Sequence, residues 1–151
     1  MAKTMPADAS AARSRRRRRP LAPGLLALAA LLPGVADAAT LAQMRGARRV
    51  LVISAPSEHD ARLERQRRAL GGWRGAAERD VSTIELVAGL VRGADDAPAA
   101  LRRRLGLSPS GFAVVLVGKD GHVALRSATP LTAGRLEAVI DGMPMRRAGQ
   151  R

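Results

Sequence analysis

The sequence predicts an α/β domain with four strands and three helices in the order β-α-β-α-β-β-α. Three observations carry this. Val50-Leu51-Val52-Ile53 and Phe112 to Val117 are apolar throughout, as in strands buried on both faces. Gly118-Lys119-Asp120-Gly121 has the Asp-Gly pair that a tight hairpin turn requires. The stretches between and after these runs place apolar residues at helical spacing.

Leu41 to Arg49 reads as a short lead-in, one helical turn at most. The first strand follows, and Pro56 ends it. Ser57 with Asp60 three residues on resembles a capping box, so a helix is expected from there to about Leu70, where Gly71-Gly72 stops it. His59, Leu63, Gln66 and Leu70 would share its inner face. Trp73 lies in the loop beyond. Val81 to Val87 is the second strand. Pro98 suits a first helical turn, with Asp96 as the candidate cap, and this helix should close at Gly106 with Leu101 and Leu105 facing inward. Phe112 to Val117 and His122 to Arg126 form the hairpin, and the alternation of the second arm marks it as an edge. Thr132 caps the last helix, whose buried stripe is Leu136, Val139, Ile140 and Met143.

Residues 1–38 read as a signal peptide: Arg15 to Arg19 are a positive region, Leu21 to Leu32 a short apolar stretch, and Ala36-Asp37-Ala38 a cleavage pattern. The apolar stretch is shorter than the roughly 20 residues of a spanning helix. Cleavage would leave a periplasmic or secreted chain beginning at Ala39, with one domain over 39–147 and a basic tail over 148–151. The chain has no cysteine, so an exported form has no disulfide to stabilise it. The formal charge is +13, of which the leader accounts for +5. A surface this basic attracts polyanions. Codon bias towards arginine gives the same composition, since only Lys3 and Lys119 are lysines.

Residues 48 to 55, Pro56-Ser57, Arg65-Gln66-Arg67, Phe112 to Gly121 and Ile140-Asp141-Gly142-Met143-Pro144-Met145-Arg146 together resemble the family called domain of unknown function 4174. The resemblance covers about residues 40 to 147. The Gly-Lys-Asp-Gly and Ile-Asp-x-Met-Pro-Met-Arg segments are its most specific parts. It implies a thioredoxin-like or peroxiredoxin-like fold, with a four-stranded mixed sheet in the order 4-3-1-2, the third strand antiparallel to the first, and helices on both faces. It also implies a small exported protein, and it brings no assigned activity.

In thioredoxin-like enzymes the reactive thiol follows the first strand, where a helix dipole lowers its pKa. Here that stretch is Ala55-Pro56-Ser57-Glu58-His59-Asp60, so thiol redox catalysis is excluded. Ser57, His59 and Asp60 are the catalytic candidates of a non-thiol alternative, but one helical turn does not aim them as a triad. Ser57 reads more simply as a cap. No metal motif and no phosphate loop is present, and no cofactor is expected. If the third strand opposes the first, Lys119 lies at the pole opposite Ser57. Lys119, Asp120, Asp141, Arg146 and Arg147 would then gather there as a binding cluster. The Ser57 pole would gather Pro109, Ser110, Arg126 and Thr129. The reading that follows is a thiol-free binding module for a protein or small ligand. A non-thiol enzyme and a polyanion binder are the alternatives.

Overall fold

Val50-Leu51-Val52-Ile53 has no polar side to turn towards water. In the computed structural model of the chain it lies within β1 (Arg49–Ala55), every residue of which is buried. The structure describes residues 38–144 and residue 149. Most of the expected export signal, together with Arg146 and Arg147, lies outside the described residues. After β1 come α1 (Ala61–Leu70), α2 (Gly75–Glu78), β2 (Val81–Val87), β3 (Leu90–Arg92), α3 (Pro98–Leu105), β4 (Ala113–Val117), β5 (Val123–Ser127) and α4 (Ala133–Asp141).

The sheet has five strands in the order β3-β2-β1-β4-β5, where four were expected. The four expected strands keep their order, with β1 parallel to β2 and antiparallel to β4. Val50 stands opposite Val117, and Ser54 opposite Ala113. The additional strand, β3, folds back on β2 through Ala88 and Gly89, which take φ of 49° and 81°. On the other side β5 forms the expected edge, with a register shift between Leu116 and Val117.

Alternation along the strands divides the core in two. Val50, Val52, Ile84, Leu86 and Val115 point to one face, where Leu101 and Leu105 of α3 cover them with Leu41 and Met44 of the lead-in. Leu51, Ile53, Val114 and Leu116 point to the other, under Leu63 of α1 and Leu136 and Ile140 of α4. The lead-in expected over 41–49 forms turns over 41–47 and is therefore a packed part of the domain.

Helix caps depart from the sequence reading in two places. Asp60, not Ser57, caps α1: its carboxylate accepts from the Arg62 backbone N–H, and the helix begins about one turn later than expected. His59 consequently precedes the helix and is exposed rather than inward-facing. Ala97, not Asp96, precedes α3, while the Asp96 carboxylate accepts from the Leu41 N–H at 2.6 Å and ties down the lead-in. Thr132 caps α4 as expected. Gln66 on α1 is fully buried; its amide donates to Leu131 O at 2.9 Å and accepts from Leu131 N at 2.7 Å, holding the loop before α4.

Candidate functional site

Because β4 opposes β1, the turn after β4 and the segment after β1 lie at opposite ends of the sheet. At the β4 end the hairpin closes with Gly118 N–H donating to His122 O at 2.8 Å and Gly121 at φ 86°. Asp120 accepts from the His122 N–H at 3.0 Å, which fixes the tip. Lys119 points inward and is only 7% exposed. Its Nζ donates to Asp80 Oδ2 at 3.0 Å. Asp80 sits between α2 and β2 with φ 51°, a left-handed conformation that aspartate tolerates. The Lys119 ammonium holds the Asp80 carboxyl below its usual range, with Arg48 and Arg49 adding to the field. Arg49, at 1% exposure, donates from Nη1 to Arg79 O at 2.9 Å.

Asp141 enters the same end differently. Arg79 grips it with two bonds, Nε to Oδ1 at 3.1 Å and Nη2 to Oδ2 at 2.8 Å, and also lies 3.5 Å from Glu137. Trp73 Nε1 donates to Glu137 as well. These bonds lock the last helix to the α2 segment. The turn after α4 then brings Met143 and Pro144 against the hairpin, and the two segments enclose a hollow of about 320 Å³. Arg49 and Lys119 line it together with Val123 and Ala124, and Asp120 and His122 complete its lining. Two buried cations beside apolar walls suit a ligand with an anionic end and an apolar body. Lysine suits the position because its compact head is buried while donating to one carboxylate.

The β1 end is built differently. Asp60 is gripped by its neighbour Arg62 through Nε at 3.0 Å and Nη2 at 2.7 Å, which brings its carboxyl down to about 2. Among the described residues no hydrogen bond joins the side chains of Ser57, His59 and Asp60. Arg62 also lies over the Phe112 ring, 5.4 Å from its centre. Arg67 joins Glu85 and Glu58, and Arg92 takes Glu58 at 2.6 Å. Those arginines, Arg92 first, hold the Glu58 carboxyl below its ordinary value. Arg126 lies towards this end, as expected, but on the other face of the sheet. It stands opposite Val115 on the α3 face and donates to the carbonyls of Leu105 and Gly106, at the C-terminus of α3.

Lys119 and Asp120 thus line the hollow, and Asp141 braces the helix whose following turn supplies part of its wall. Sequence reading missed Asp80, Arg49, Arg79 and Val123. Arg49 belongs to an apolar strand and could have been noticed as a cation at a central-strand position. The described residues contain no group of three or more His, Cys, Asp or Glu side chains able to hold a metal ion. None of their helices is long and apolar enough to cross a membrane.

Fold and site together define a cysteine-free mixed α/β domain with a small cationic hollow at one end of its sheet. Residues 40–149 match the model of the family described as Domain of unknown function (DUF4174), and the chain belongs to that family. No curated protein and no solved structure matches it.

Proposed function

We propose that the chain is an exported, thioredoxin-like binding module that has no thiol chemistry and takes its ligand in the Lys119 hollow. One observation carries this reading. The two segments most specific to the family resemblance are Gly118 to Gly121 and Ile140 to Arg146, and Gly118 to Asp120 of the first and Met143 and Pro144 of the second line one cavity together with Arg49. A thioredoxin-like assignment is supported by the central parallel pair with an antiparallel neighbour. The site holds its charges in fixed pairs, which suits recognition rather than proton transfer.

The test is capture from a cell-envelope extract on immobilised protein, beside a Lys119→Ala variant whose fold is checked by circular dichroism. A partner held by the parent and lost by the folded variant supports the reading. Partners held equally by both refute it.

A further inference from the structure

We propose that the C-terminal end of α3 is a second binding surface, which docks on the phosphate headgroups of an anionic membrane. The charge of the domain is unevenly distributed. Among the described residues, carboxylates pair with Arg62, Arg67, Arg68, Arg79, Arg92 and Lys119. None pairs with Arg102, Arg103, Arg104 or Arg126. The sequence explains this: no acidic residue lies between Asp96 and Asp120, or between Asp120 and Glu137. The α1 and α4 side thus carries ion pairs beside its unpaired Arg65, Arg74 and Arg135, whereas no arginine of α3 has a carboxylate partner among the described residues.

These cations converge. Arg102 and Arg103 line an open groove of about 610 Å³ with Gly106, Leu107, Ser108 and Pro109. Arg126 reaches the same corner from β5, through its bonds to Leu105 and Gly106. The helix C-terminus offsets roughly half a charge, which leaves most of the cluster uncompensated.

The surroundings select the occupant. A protein interface needs an apolar core, and among the described residues the exposed large apolar residues are Leu90 and Val123, neither of them on α3 or the loop after it. Single-stranded nucleic acid needs aromatic platforms. The chain has Trp73 and Phe112 alone; one bonds Glu137 and the other is buried. What remains is an outward face of guanidiniums and a serine hydroxyl, flanked by the small apolar residues Ala99 and Pro109. Such a face matches a plane of anionic headgroups by charge alone.

The full chain is titrated with vesicles of phosphatidylcholine mixed with phosphatidylglycerol, and with duplex DNA. The triple variant R102Q/R103Q/R104Q should lose about a hundredfold in vesicle affinity, at roughly one headgroup attraction per arginine. The triple R65Q/R68Q/R74Q, with the same loss of charge on the α1 side, should lose much less. Equal losses, or no loss in either variant, overturn the proposal. A larger effect on duplex DNA than on vesicles overturns the membrane as occupant. Should the first triple fail to fold, Arg103→Glu alone, at an exposed position, should cost at least about tenfold by the same attraction, and an unchanged affinity refutes the idea.

Discussion

Replacing Gln66 by leucine should destabilise the domain by about 2–4 kcal/mol, although the site is buried and leucine is the more apolar residue. The side chain is 0% exposed, and its two bonds both go to Leu131, one to the N–H and one to the carbonyl. Leucine fills a similar volume but leaves both backbone groups without those partners. Each abandoned group costs about 1–3 kcal/mol. Leu131 is half-buried, so water recovers part of that, and leucine's transfer returns about 1 kcal/mol. Urea unfolding followed by far-ultraviolet circular dichroism gives the difference from the midpoint and slope. A loss below about 1 kcal/mol would show that the loop before α4 does not depend on this pairing. Gln66→Glu sharpens the test. An ionised carboxylate accepts from Leu131 N–H but cannot donate to its carbonyl, whereas the protonated acid does both. That variant should therefore gain stability relative to the parent as pH falls from 7 to about 5, since burial raises a carboxyl's pKa.

Asp60 predicts an acid limb. Its folded value of about 2 lies below the ordinary 3.8, so between those values the unfolded chain binds more protons. Its stabilisation is present above pH 3.8 and lost as pH falls towards 2, and Asp60→Asn should flatten that part of a stability profile measured by urea midpoints. Gly93 has φ +87°, and a Cβ there would overlap the Thr83 carbonyl oxygen. Gly93→Ala should cost at least about 2 kcal/mol and lower the thermal midpoint, while an unchanged midpoint would contradict the tight approach of this segment to β2.

The central strand, the β4–β5 hairpin and the ends of α3 were legible because each depends on neighbouring residues. An apolar run, an Asp-Gly pair and a Pro-to-Gly interval all act within a few positions. β3 was not legible for a physical reason. Three residues are too few to show alternation, and its turn uses Ala88 with φ 49° where Asn or Asp would have signalled it. The cap of α1 was misplaced because Ser57 and Asp60 are both competent caps, and only the geometry of the loop after β1 chooses between them. The place of Lys119 opposite Ser57 followed from strand direction alone, while Arg146 and Arg147 of its expected cluster lie outside the described residues. The partner of Lys119, Asp80, did not follow, because residues 39 positions apart meet only through the finished sheet. Arg126 sits towards the expected end but on the α3 face, because the face of an edge strand depends on a register that its sequence only weakly fixes.

β1 lies between a partner that begins at Val81 and one that is complete only at Val117. While the chain is being made, β2 can pair one edge of this greasy ribbon early, but the other edge has no partner until more than sixty further residues have appeared. Val50 to Ile53 is thus the stretch most exposed to sticking to another nascent copy, and the one with most need of a holding chaperone. The adhesive strip emerges early and its cover late, so the risk is greatest before the molecule is finished.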